Sequence, residues 1–207
     1  PVAGRRAARC RSSGCPGTWA LRLWAYLLWR SRGRPEDPRY ARFRQRYGPE
    51  RYWWFSYLQV FLLQGGLVVL ISAPLQLAAA TAHDISPLQL VGAGLALAGT
   101  VYEAVADAQL HRFRMDRQHG EVLDRGLWRW SRHPNYFGEA VLWWGFGLVA
   151  LAVPWGVATL LGPALMTWLL LRVSGVTMLD EHLLRTRPAY ADYLRRTSAF
   201  WPRPPRD

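Results

Sequence analysis

Long apolar stretches alternate with arginine-rich ones along this chain, and that alternation limits the possible folds more than any other feature. A bilayer core offers no water to backbone N–H and C=O groups, so a chain can cross it only as helices or as a closed barrel. Residues 52–80, 88–110, 136–153 and 157–179 are each apolar over about the length a spanning helix needs, roughly 20 residues. The mean hydropathy of -0.07 resembles that of a soluble protein only because it averages these runs with the loops between them. The expected fold is all-α, a polytopic transmembrane helix bundle with four full spans plus a partial amino-terminal one.

The loop charges orient this bundle. All 26 basic residues are arginine, and the formal net charge is +12. Such a charge can mark a nucleic-acid binder, but here the arginines adjoin apolar segments, as they do in cytoplasmic loops of membrane proteins. The expected partner is therefore the lipid bilayer, with no nucleic acid. The loops at 30–51 and 111–135 and the tail from 180 are arginine-rich, while the turns at 81–87 and 154–156 carry no arginine. All three basic segments then face the cytoplasm.

The start of the chain breaks this pattern. Residues 1–17 are rich in Arg, Gly, Ser and Cys without periodicity, and would place Arg5, Arg6, Arg9 and Arg11 outside. They read as a disordered or truncated start, followed by one transmembrane domain over 18–207. The apolar run at 18–29 carries Arg22 and is too short to span, so it resembles the tail of a longer span. This predicts further amino-terminal spans in the native protein, and no activity from residues 1–207 alone. Cys10 and Cys15 have no second pair of cysteines, so neither a metal site nor a disulfide framework is expected. A signal-peptide layout is absent, and the chain reads as an integral membrane protein.

Chemistry concentrates between Asp124 and Glu139, a dense polar block directly before an apolar run. Arg129, Arg132 and His133 supply cationic or donor groups, and Asn135 and Tyr136 supply neutral ones. Pro134 suits the first turn of a helix, where its missing N–H costs nothing. A helix opening there presents free N–H groups beside arginines, an arrangement suited to phosphate. Ionisable groups inside spans are costly and tend to line cavities or find partners. Glu103, Asp107, His111 and Arg114 follow one another at four, four and three residues, and so share a helix face. Glu139 and Arg172 come from the next two spans. These groups read either as a polar site near the cytoplasmic face or as ion pairs between helices.

At these residues the chain resembles a known family. The run from Gly126 to Glu139, Gly-Leu-Trp-Arg-Trp-Ser-Arg-His-Pro-Asn-Tyr-Phe-Gly-Glu, is similar to the signature of bacterial steroid 5-alpha-reductase-like membrane proteins. Further matches are Glu103-Ala-Val-Ala-Asp107-Ala-Gln109, Leu171-Arg-Val-Ser-Gly-Val176 and the run from Tyr190 to Ser198. The resemblance covers about residue 19 to the end. It implies an NADPH pocket opening to the cytoplasm, with Asp107, Arg114, Asn135, Glu139 and Arg172 around the cofactor and Arg132, His133, Tyr136 and Tyr193 also carried over. It further implies hydride transfer to the beta carbon of an enone in a hydrophobic small-molecule substrate, steroid-like or another lipid, in the inner membrane. A Tyr and a Glu would polarise the enone carbonyl. Tyr26 matches that Tyr, and the Glu has no counterpart in this sequence. Two other readings compete. Isoprenylcysteine and phospholipid methyltransferases carry an Arg-His-Pro-x-Tyr-x-Gly block, paired acids like Asp180-Glu181 and a Tyr-x-x-Tyr tail, and would hold S-adenosylmethionine. A non-catalytic membrane partner protein would hold neither.

Overall fold

The computed structural model describes residues 38–81, 85–116, 122–173 and 175–206. The expected disordered start at 1–17, the partial span at 18–29 and Tyr26 lie outside the described residues. Among those residues the protein is helical, with no strand, and falls into two units, Pro1–Phe61 and Leu62–Asp207.

In the first unit, helix α1 (Pro38–Ser56) is interrupted at Gly48, where φ is 73°. Proline disfavours helical geometry in the residue before it, and Pro49 follows. Glycine takes the left-handed turn without strain. The Arg44 guanidinium sits over the Tyr52 ring at 5.3 Å, and Tyr47 stacks on Phe55 at 4.2 Å. Trp53, Trp54 and Tyr57 are exposed, as residues of an interfacial belt are. A π-helical turn (Tyr57–Leu62) leads onward.

The second unit is built on α4 (Pro87–Asp116) and α5 (Pro134–Ala150). Around them lie α2 (Leu63–Ile71), α3 (Ala73–Ala80), α6 (Leu161–Arg172), α7 (Val176–Thr186) and α8 (Tyr190–Arg196), with short 3₁₀ turns at Gly126–Arg129 and Gly156–Leu160. Glycines let α4 and α5 touch backbone to backbone. A Cβ on Gly99 would sit 2.5 Å from the Leu142 nitrogen, and one on Gly145 would sit 2.5 Å from the Ala96 nitrogen. Small residues at such crossings are how helices associate where no hydrophobic force separates them from lipid. Further along, Ala140, Leu170, Val176 and Phe200 form a buried cluster that brings the tail against α5, α6 and α7.

Three helical stretches are long and apolar enough to cross a membrane: Glu50–Ile71, Pro87–Asp116 and Gly156–Thr186. Their outward faces carry exposed Val68, Val91, Leu97 and Val101, an exterior suited to a bilayer. The first span was expected to run over 52–80, but it stops at Ser72. Pro74 lacks the N–H that would donate to the Leu70 carbonyl and continue the ladder, and the Ser72 hydroxyl adds a second bond to the Val68 carbonyl at 2.6 Å. The span expected over 136–153 is a helix of 17 residues. At 1.5 Å per residue that is about 25 Å, short of a hydrocarbon core of about 30 Å. It ends before Trp155, whose left-handed φ of 64° reverses the chain.

Candidate functional site

The polar block between Gly126 and Glu139 is fastened from four sides. On α4, the Gln109 side-chain oxygen accepts from the Leu127 N–H at 3.0 Å, and the Trp128 indole donates to the Ala106 carbonyl at 3.0 Å. Gly126, at φ 64°, takes a backbone conformation that favours glycine, and a Cβ there would lie 2.6 Å from the Gln109 amide oxygen. On the tail, the Arg132 N–H donates to Ser198 at 2.9 Å, the Ser131 hydroxyl to Phe200 at 2.9 Å, and the Arg203 N–H to Trp130 at 3.0 Å.

The other two sides are α7 and α8, and they meet at Asp180. Its carboxylate accepts from Arg132 Nη2 at 2.7 Å, from His133 Nε2 at 3.0 Å and from the Tyr190 hydroxyl. Arg132 Nη1 reaches the Leu194 and Thr197 carbonyls at 2.8 and 2.9 Å. The Tyr193 hydroxyl donates to the Trp128 carbonyl. Arg132, His133, Asp180, Tyr190 and Tyr193 are all buried. Burial, and behind it the bond to Asp180, pushes the Tyr190 hydroxyl well above the ordinary tyrosine value of about 10. Burial does the same for Tyr193, against the opposing pull of the Arg132 charge. Both phenols therefore stay neutral and act as donors.

Arg132, His133 and Tyr193, expected around a cofactor, thus spend their polar groups on the chain itself. Asp180 went unassigned among the site residues, although the Asp180-Glu181 pair stood out. Its role as shared acceptor is a long-range contact, since 47 residues separate it from His133. Two polar atoms in this network stay buried without a partner, Arg132 Nε and His133 Nδ1. The histidine ring lies flat on Tyr136, with centroids 5.3 Å apart and planes 2° from parallel.

Beside this network, α4 and α5 bring together a second set. The Asn135 amide donates to Asp107 at 3.1 Å. A Cβ on Gly138 would lie 2.7 Å from the Glu103 nitrogen, so the chain passes from Gly138 to Glu139 directly against Glu103. Glu139 feels the charges of both Glu103 and Asp107, and Tyr136 those of Glu139 and Asp107. Three carboxyl groups, an amide and a phenol thus gather at one helix crossing. Arg114 and Arg172 are exposed at the ends of α4 and α6. Arg114 borders a largely apolar cavity of about 90 Å³ together with Trp128, Arg132 and Tyr190. At about 30 Å³ per water, that holds only a few waters. Among the described residues no group of three or more His, Cys, Asp and Glu is placed to hold a metal.

A comparison with protein families shows one family and names no activity. Residues 15–197 match the family described as "Protein of unknown function (DUF1295)". An uncharacterized protein of Schizosaccharomyces pombe is 28% identical over 212 residues, covering 89% of this chain. The chain spans 60% of that relative's length. No solved structure matches.

Proposed function

This chain belongs to the DUF1295 family, and from that premise we propose that it is a membrane-embedded, NADPH-dependent reductase of the steroid 5-alpha-reductase-like kind. Its substrate is the C=C bond of a steroid-like or other lipid enone, and its cofactor site opens to the cytoplasm of a bacterial cell. The observation that carries the reading is the gathering of Glu103, Asp107, Asn135, Tyr136 and Glu139 where α4 and α5 cross. So many ionisable groups at one apolar helix crossing are costly, and such groups commonly serve a ligand.

The side chains divide when set against the cofactor. Arg132, His133 and Tyr193 are bonded to Asp180 and to backbone carbonyls, and their part is to hold the loop and the start of α5 in place. Asn135, Asp107 and Glu139 retain bonding capacity suited to a carboxamide and ribose hydroxyls. Arg114 and Arg172 have no carboxylate within ion-pair distance among the described residues, and suit phosphates. His133 Nδ1, next to this set, lacks a donor from the chain. The residues fit the cofactor in these parts. When bound, NADPH would supply the hydride, and a proton would complete addition across the C=C bond. The side chains named here would bind and orient.

The test is a titration of the purified chain in detergent with NADPH, NADH and S-adenosylmethionine. NADPH should bind best, and Arg114→Ala or Arg172→Ala should weaken it by about 1.5–3 kcal/mol per charged hydrogen bond lost. Asn135→Ala should lower affinity without changing the preference for the 2′-phosphate. Binding of S-adenosylmethionine with no response to NADPH would replace this reading by the methyltransferase one. No nucleotide binding at all would leave a non-catalytic partner protein.

A further inference from the structure

A second cavity lies on the far side of Arg132, between α8 and the tail. It measures about 250 Å³ and is lined by Arg132, Arg195, Arg196, Ser198, Arg203 and Arg206 among others. At about 30 Å³ per water it has room for roughly eight waters, enough for a small tetrahedral anion with part of its hydration shell. We propose that this cavity binds a phosphate group, as inorganic phosphate or as the headgroup of an anionic phospholipid.

The charges do not cancel here. Arg195 and Arg196 share Asp192, at 2.9 and 2.8 Å, and Arg196 has a long contact of 3.9 Å to Asp124. Arg132 is committed to Asp180. Arg203 and Arg206 have no carboxylate within ion-pair distance among the described residues. Five guanidinium groups therefore face three carboxylates, a surplus of two. Converging arginines repel one another unless an anion lies between them, and their planar forks match phosphate oxygens.

The backbone is arranged for the same outcome. The end of a helix carries partial negative charge on its free carbonyls and would repel an anion. At the end of α8 most of those carbonyls are taken. Leu194 and Thr197 accept from Arg132, Arg196 accepts from the Arg206 N–H at 2.9 Å, and Tyr193 accepts from the Thr197 N–H at 2.9 Å. The Arg206 bond, with the Arg203 N–H bonded to Trp130, also folds the tail back so that its arginines meet those of α8. Arg132 lines the cavity while only 9% exposed, and its Nε is buried without a partner. A merely solvated basic surface needs neither the covered carbonyls nor a buried guanidinium. This proposal is independent of the reductase reading, whose cofactor-facing groups lie on α4, α5 and α6.

The experiment measures the melting temperature of the full chain in two settings. In detergent, inorganic phosphate is titrated against chloride at equal ionic strength. In nanodiscs, phosphatidylglycerol is titrated into phosphatidylcholine. Saturable stabilisation by inorganic phosphate supports the proposal and marks a soluble ligand. Stabilisation by phosphatidylglycerol alone supports it and marks a headgroup. Arg203→Ala with Arg206→Ala should require at least tenfold more of the active species. If that double variant does not fold, Arg203→Gln and Arg206→Gln, made singly, should each weaken the response. A wild-type response to neither species overturns the proposal, and so does an undiminished response in the variants. Measured without phosphate, NADPH affinity should be the same in variant and wild type. A parallel loss of NADPH binding would merge this cavity with the cofactor site and overturn it as a separate one.

Discussion

Asp180 is the residue on which most depends. One carboxylate takes donors from Arg132, His133 and Tyr190, so removing it strands a buried guanidinium. Breaking a buried pair from one side costs about 3–5 kcal/mol. Asp180→Ala should therefore lower the midpoint of thermal unfolding sharply, while Glu181→Ala, at an exposed neighbour, should barely move it. The tyrosines bring a pH dependence. Their folded values lie above the unfolded value of about 10, so their contribution is complete below pH 10 and is lost as the pH rises beyond it. Stability measured from pH 9 to 11.5 should fall, and Tyr190→Phe with Tyr193→Phe should flatten that fall from a lower starting point. The block around Arg132 was legible in the sequence because its polar residues crowd against an apolar run. Its fastening to Asp180 was not legible, because no local spacing links residues brought together only by the packing of α5, α7 and α8.

For the helices, apolar run length located α2 to α6 and missed where two of those runs stop. Most of α1 and α7 and all of α8 lie in basic segments that carry no apolar run. The break at Ser72 comes from Pro74 and the early end of α5 from the turn at Trp155, both local backbone effects inside otherwise unbroken apolar sequence. The closeness of α4 to α5 was also hidden, because Gly92, Gly99, Gly138 and Gly145 name no partner until the register is known. With that register they make a sharp prediction. Gly99→Leu or Gly145→Val must push apart backbones already in contact, and overpacking costs about 1–3 kcal/mol. Gly65→Leu and Gly66→Leu, where a Cβ meets nothing within 4 Å, should be tolerated. Denaturant unfolding in detergent would separate the two pairs, and equal effects would refute the contact.

For the whole molecule, the arginines also predict sidedness. The exposed Arg125 lies in a basic loop expected to face the cytoplasm. Arg125→Cys should resist an impermeant thiol reagent in intact cells and react once they are opened, judged against the response of the unsubstituted chain. Labelling from outside would reverse the orientation. An all-helical membrane fold was legible at this scale, since both rest on run length and loop charge. Which polar groups meet was only partly legible, because Asp107 and Asn135 find each other across the α4–α5 crossing and Arg132 is drawn instead toward the tail.

The bonds between residues 198–203 and Trp130, Ser131 and Arg132 also set a timetable for synthesis. A ribosome makes the Arg132 stretch some 65 residues before the strap that secures it, as the separation from Thr197 records. At about 5–20 residues per second, the loop waits at least several seconds with its guanidinium and imidazole unclaimed. A nascent chain arrested after residue 190 should have α4 and α5 inserted while the stretch between them is still cut by protease. A chain released past residue 206 should resist the same digestion. A later-translated piece would then lock one made much earlier, and truncations that remove residues 198–203 would yield a membrane-inserted protein open to degradation at its centre.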